Sequence, residues 1–281
     1  MIFERITVVG CGLIGASFAL ALRECEGCGR VAGWDQSDAV LREALRRGVI
    51  DEVDQALGEG RESASDLVYL AMPVGEIVKF LRGRGESIRP GALVTDAGST
   101  KAEICRAAAE ALPPGRRFVG GHPVAGSQHA GLEYASASLF ADAPYALVTD
   151  AADEGALAET QALVEVLGAR VVLTSAAAHD RVLAYVSHLP QLLSGALNAA
   201  VRDQTDAGEL LQLAGPGYRD MTRLAASPWS VWRDIVGTNA GNLAGALDGL
   251  MEKLDALREE LRQASAGEEL HVTRELFGRR E

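Results

Sequence analysis

Gly10-Cys-Gly12-Leu-Ile-Gly15 lies between a short β-branched run, Arg5–Val9, and a segment with Leu13, Ile14, Ser17, Leu20 and Ala21 at helical spacing. Three glycines at a strand-to-helix junction admit few architectures. The first permits a tight turn, the second lets the backbone approach a pyrophosphate, and the third lets helix and strand pack closely. The helix N-terminus offers N–H groups and partial positive charge to phosphates. Gly10, Gly12, Leu13, Ile14 and Gly15 thus form the expected cofactor cradle. Asp35 ends the next strand-like run, Val31–Trp34, 20 residues after Gly15. A carboxylate there accepts hydrogen bonds from both ribose hydroxyls and repels a 2′-phosphate, and neither Gln36 nor Ser37 supplies a cation. The expected cofactor is NAD rather than NADP.

Strand-like and helix-like segments alternate from there to about residue 175. Strands are expected at Asp66–Ala71, Ala92–Asp96, Arg117–Gly120, Tyr145–Thr149 and Arg170–Leu173. Helices are expected from Ser37 as N-cap to Arg47, from Thr100 to Leu112, and from Glu154 to Leu167. Such alternation is the signature of an α/β Rossmann-type, doubly wound parallel sheet. Ligands of such sheets lie across the carboxyl ends of the strands. Ala71, Met72 and Pro73, and Asp96 and Gly98, are therefore expected beside the nicotinamide. Beyond Ser175 the strand signals stop, and Ala176–Val201, Ala207–Ala225 and Ser230–Gln263 read as helices. The expected division is a dinucleotide-binding domain over 1–175 and an all-α domain over 176–281. Leu243, Leu247, Leu250, Leu254 and Leu257 give the last helix a broad apolar face that calls for a second chain, so a homodimer is expected.

The 281 residues carry 27 Lys+Arg against 39 Asp+Glu, a net charge of −12 with no basic run, which argues against nucleic acid or an anionic membrane as partner. No apolar run reaches the ~18–20 residues of a membrane span. The N-terminus lacks the zones of a signal peptide, so a cytoplasmic setting is expected. Of four cysteines, Cys25 and Cys28 form a lone CxxC that reads as a turn rather than a metal or redox site. No metal is expected.

Gly120-Gly121-His122-Pro123-Val-Ala-Gly126 follows the fifth strand. A histidine on a glycine-rich loop there would face the crevice, with an imidazole suited to general-base work or to bonding its own loop. Together with Asp96-Ala-Gly-Ser99-Thr-Lys101, Ser187-His188-Leu-Pro190-Gln191, Gly217-Tyr-Arg219-Asp-Met-Thr-Arg223 and Trp232-Arg-Asp234, the chain resembles the prephenate/arogenate (cyclohexadienyl) dehydrogenases of tyrosine biosynthesis over about residues 5–240. The resemblance implies NAD-dependent oxidative decarboxylation of prephenate to 4-hydroxyphenylpyruvate, or of arogenate to tyrosine. It implies His122 as the base on the ring hydroxyl and Ser99 as a partner of that hydroxyl. It also implies His188 as the second histidine of the pocket and Arg219 as the carboxylate clamp, with Arg223 next in line.

After the His-Pro loop the family often has Thr or Ser, then Glu. Here Ser127 and Gln128 stand as the expected substrate contacts, and the neutral amide leaves prephenate and arogenate both open. A 6-phosphogluconate-type or β-hydroxyacid dehydrogenase would want a catalytic lysine after the sheet, and Ser175–Leu192 has none. A non-catalytic NAD-binding protein would not need these residues to converge. With helical stepping of about 100° per residue, Arg181, Tyr185, His188 and Leu192 share a face and His179 points away. His179, His129 and His271 are accordingly expected at a helix start or in solvent. Lys101 either pairs with Asp96 or approaches the cofactor. Trp229 and Trp232 are expected to pack the helical core.

Overall fold

The computed structural model describes residues 3–25, 29–125 and 131–263. The chain forms two compact units. One runs to Leu183 and takes in Ala226–Thr238; the other comprises Ala184–Ala225 and the residues from Asn239 onward.

The first unit is built on a six-stranded sheet in which every pairing is parallel. Its strands are β1 (Arg5–Val9), β2 (Arg30–Trp34), β3 (Glu52–Val53), β4 (Leu67–Leu70), β5 (Leu93–Asp96) and β6 (Arg117–Val119), in spatial order β3-β2-β1-β4-β5-β6. Helices α1 (Leu13–Arg23), α2 (Asp38–Arg46), α3 (Gln55–Gly58), α4 (Val74–Arg84) and α5 (Ala102–Ala111) connect them. Alternate side chains of each strand enter opposite cores. Ile6, Val8, Leu67, Tyr69 and Leu93 join Phe18 and Leu22 of α1 on one face. Val9, Val68, Leu70 and Val94 join Ile77, Leu81, Ile104 and Ala107 of α4 and α5 on the other. Burial on both faces explains why these strands read as continuous apolar runs.

Helix α2 is capped as the sequence indicates. The Ser37 side chain accepts the Val40 N–H, and Gly48 takes the positive φ of a helix-ending residue. Helix α4 is absent from the sequence expectation, although Val74, Ile77, Val78 and Leu81 have helical spacing. Pro73 ends the strand signal and serves as N-cap of that helix.

The strands expected at 145–149 and 170–173 do form, but outside the parallel sheet. After Val119 the chain turns into β7 (Gly121–Pro123), which pairs antiparallel with β8 (Pro144–Val148). Strand β8 pairs in parallel with β9 (Arg170–Thr174), and α6 (Glu154–Val166) packs Ala156, Leu163 and Val164 into the first core. His122 is therefore held in a strand and not on a loop. The unit also includes α7 (Ala176–Leu183).

In the second unit a π-helical segment, Ala184–His188, leads into α8 (Leu189–Arg202), followed by α9 (Ala207–Gln212) and α10 (Pro216–Thr222). Next comes α11 (Trp229–Thr238), which belongs to the first unit, and then α12 (Ala240–Gln263) of the second. The second unit's own apolar cluster is small: Ala184, Leu189 and Ala246, with Leu193 and Leu250 against it. In the single chain Leu213 is 87% exposed, Met251 51% and Leu254 49%. Trp229 is 65% exposed, which corrects its expected place in a core, and Trp232 is half-buried. Among the described residues no helix is long and apolar enough to cross a membrane. Cys28 and the residues beyond Gln263 lie outside the described residues, and Cys25 is a free thiol.

Candidate active site

In the first unit Gly10, Gly12, Asp35, Gln36, Ala71, Met72, Pro73 and Glu76 line a cleft of about 350 Å³. Its floor is the glycine turn. Gly10 sits at φ +91°, where side chains are disfavoured, and a Cβ on Gly15 would fall 1.9 Å from the Gly10 carbonyl oxygen. A Cβ on Gly12 would meet nothing within 4 Å, so it would project into the open cleft. Gly12 also caps α1 without a side-chain hydrogen bond, so the first-turn N–H groups of Leu13 and Ile14 face the cleft end with no cap over them. This cradle fits a pyrophosphate.

The Asp35 carboxylate accepts the backbone N–H of Cys11 and that of Ser37, both at 2.9 Å. Glu76 adds a second carboxylate, contacted by Gln36 at 3.3 Å. The hydrogen bond from Lys79 holds the Glu76 carboxyl below the usual range. Two anions in one cleft oppose a 2′-phosphate. Gln36 and Glu76 were not anticipated as lining residues; the helical spacing of α4 was the available signal, since it puts Glu76 in the first turn after Pro73.

Asp96 ends β5, and its carboxylate is engaged within the protein. It is fully buried, with one carboxylate oxygen accepting the N–H of Gly98 and the other that of Gly121, and it forms an ion pair with the Lys101 ammonium. That ammonium also donates to the Gly121 carbonyl at 2.7 Å. Asp96 and Lys101 therefore grip both backbone groups of the residue before His122 rather than presenting a charge to the cofactor. Gly98 is buried beside them and Ser99 is half-buried.

His122 is buried, and its Nδ1 lies 2.9 Å from Nε2 of His179. The rings meet edge to face, with centroids 5.0 Å apart. Nδ1 of His179 lies 2.8 Å from Oδ1 of Asp180. Asp180 also accepts the N–H groups of Lys101 and Ala102 at 2.7 and 2.9 Å, capping α5. Burial pushes the Asp180 carboxyl up, but the hydrogen bonds from His179, Ala102 and Lys101 outweigh it and hold it below its ordinary value. His179 lies in the first turn of α7, one of the two places the sequence reading gave it, but the solvated alternative is corrected: it is buried against His122. The spacing argument chose between the two histidines by assuming uniform 100° steps, and residues 184–188 are π-helical, which shifts the phase. The same shift leaves Arg181 and Tyr185 exposed while His188 is buried.

In the second unit, Nδ1 of His188 lies 3.1 Å from Nδ2 of Asn239, whose Oδ1 accepts from Asn242 at 2.8 Å. With its oxygen turned to Asn242, the Asn239 amide donates to His188, and a neutral His188 carries its proton on Nε2. Arg219 is exposed on α10 and donates to the Ala214 carbonyl at 3.0 Å, and Arg223 is exposed one turn on. Ser127, Gln128, His129 and His271 lie outside the described residues. Of the Trp232-Arg-Asp234 motif, Asp234 has a structural contact within the first unit: its Oδ2 accepts the N–H of Gly75 at 3.0 Å at the start of α4.

Residues 18–173 match the family model described as prephenate dehydrogenase, nucleotide-binding domain, and 175–275 the model described as prephenate dehydrogenase, dimerization domain. The chain is 33% identical over 267 residues to a prephenate dehydrogenase of Bacillus subtilis, spanning 94% of this chain and 71% of that one. A crystal structure of Aquifex aeolicus prephenate dehydrogenase in complex with hydroxyphenyl propionate and NAD+ superposes with TM-score 0.91 at 29% identity, over 99% of this chain and 97% of the other. A crystal structure of Synechocystis arogenate dehydrogenase superposes with TM-score 0.81 at 30% identity, over 98% and 96% of the two chains.

Proposed function

Because this chain belongs to the prephenate dehydrogenase family, we propose that it catalyses the NAD-dependent oxidative decarboxylation of prephenate to 4-hydroxyphenylpyruvate. The observation that carries the reading is one compact unit holding both parts of the chemistry. It has an uncapped, glycine-lined cleft beside Asp35. It also has a buried histidine, His122, on the strand gripped by Asp96 and Lys101. The relative crystallised with NAD+ and a hydroxyphenyl compound supports it.

Gly10, Gly12, Leu13, Ile14 and Gly15 would hold the pyrophosphate, Asp35 the ribose, and Ala71, Met72, Pro73, Gly98 and Ser99 would border the nicotinamide. When bound, NAD+ accepts the hydride from the ring carbon bearing the hydroxyl. His122 takes the hydroxyl proton as the carbon–oxygen bond gains double-bond character. The ring carboxylate leaves as CO2, its bonding electrons complete the aromatic ring, and His122 returns the proton to the phenolate oxygen. The net change is prephenate and NAD+ to 4-hydroxyphenylpyruvate, CO2 and NADH. Aromatisation supplies much of the driving force, so the protein's task is to orient substrate against cofactor and hold a base at the hydroxyl.

Arg219 is assigned a substrate carboxylate, since a guanidinium fork suits a dianion on a protein of charge −12. His188 is assigned a donor's role in the pocket, with Ser127, Gln128 and Arg223 as further substrate contacts. Residues 1–175 then form the dinucleotide-binding domain and 176–281 the helical dimerisation and substrate-pocket domain, in a cytoplasmic homodimer. The second reading is arogenate as substrate; the superposed arogenate dehydrogenase favours keeping it. Steady-state rates with both substrates separate the two.

A further inference from the structure

We propose that His179, anchored by Asp180, fixes His122 in the one neutral tautomer that can accept a proton, and so acts as a positioning residue for the reaction. The activity arm rests on the dehydrogenase reading above; the tautomer does not. The chain of hydrogen bonds has one direction. An ionised carboxylate can only accept, and three N–H groups already converge on Asp180: those of Lys101 and Ala102 and the ring nitrogen Nδ1 of His179. The proton in that last bond therefore belongs to His179. A neutral His179 then has a lone pair on Nε2, which lies 2.9 Å from Nδ1 of His122. His122 must donate there, so its own proton sits on Nδ1 and its lone pair on Nε2. With Nδ1 committed to His179, Nε2 is the ring nitrogen whose lone pair can serve as the proposed base.

The opposite polarity would leave His122 with a proton on Nε2 and no capacity to take another. Once His122 has accepted the substrate proton on Nε2, its imidazolium keeps donating from Nδ1 to His179, whose own Nδ1 proton stays hydrogen-bonded to Asp180, so the carboxylate stabilises the positive charge through the intervening ring. The nearby Asp96–Lys101 pair is internally neutral and does not compete for that role. His122, His179 and Asp180 are all buried, where such bonds are stronger than in water. The logic is that of a carboxylate setting the tautomer of a catalytic histidine, extended by one ring.

Nitrogen-15 NMR of the imidazoles in the wild-type enzyme, with His122 assigned by the signals lost in His122→Asn, reads the tautomer without perturbing the site. The expected result near neutral pH is His122 protonated on Nδ1 and bare on Nε2; a proton on Nε2 overturns the proposal. In kinetics, His179→Leu should lower kcat by on the order of 10²-fold with substrate KM within ~3-fold. His179→Gln, whose amide carbonyl still accepts from Nδ1, should recover at least ~10-fold of that loss. A folded His179→Leu enzyme with wild-type kcat contradicts the proposal, as does equal loss in both variants. If neither prephenate nor arogenate is turned over by the wild type, the functional reading fails while the NMR result still decides the tautomer.

Discussion

The Asp35 carboxylate accepts the backbone N–H of Cys11 at 2.9 Å, so the group proposed to read the ribose is tied to the turn proposed to hold the phosphates. Substituting it disturbs both. Wild-type enzyme should use NAD in preference to NADP. Asp35→Ser should lower kcat/KM for NAD by ~10–100-fold, the worth of a hydrogen bond to a charged group, and narrow the preference. Comparable wild-type kcat/KM with the two cofactors would remove Asp35 and Glu76 as the selecting anions.

His122 and Arg219 should fail in different ways. As the proposed base, His122 would act most strongly in the transition state, so His122→Asn should lower kcat by ~10²–10⁴-fold with KM changed less, and abolish the acid limb of the pH–rate profile. In the proposed reaction Arg219 would hold a carboxylate before and during the chemistry, so Arg219→Ala should mainly raise KM. If Arg219→Ala keeps the wild-type KM, the clamp is another residue, with Arg223 the first to test.

The Lys101–Asp96 pair is fully buried and holds the strand that carries His122. Removing one partner strands the other charge. Lys101→Met should lower the unfolding free energy by ~3–5 kcal/mol in denaturant titration. A loss below ~1 kcal/mol would show that the pair does not anchor the strand.

Asp180 has a folded-state carboxyl held below its unfolded value. Its contribution to stability is therefore full above the ordinary carboxylate range of ~4 and is lost as pH falls through the folded value. The stability gap between wild type and Asp180→Asn should be widest near pH 7 and shrink steadily from about pH 4 downward. A gap that widens on acidification would reverse the sign and exclude an ionised Asp180.

The exposed Met251 and Leu254 on α12 motivate a solution test of the dimer. Light scattering should give twice the chain mass at micromolar concentration, and Leu254→Glu should shift it toward the monomer. A wild-type monomer under those conditions contradicts the homodimer.

Much of this site was legible because its residues obey local rules. Gly10, Gly12, Gly15 and Asp35 sit where a strand–turn–helix needs them, and Ser37 and Gly48 mark the ends of α2 through backbone chemistry alone. His179 was not legible, since it was oriented by its phase against His188, and the π-helical segment Ala184–His188 breaks the period on which that comparison relied. Strand β7 was hidden by its length: three residues carry no alternation, and their pairing with β8 is set by the long-range grip of Asp96 and Lys101 on Gly121. Helix α4 shows the reverse case, a clear 3–4 spacing overshadowed by the strand stop at Pro73.

The most direct test is a steady-state assay of cofactor reduction with prephenate and with arogenate, each with NAD and with NADP, alongside release of CO2. The expected result is NADH and CO2 in equal amounts from prephenate and NAD, with the other three combinations slower. Reduction of neither cofactor by either substrate, or reduction without CO2, would contradict the assignment of oxidative decarboxylation.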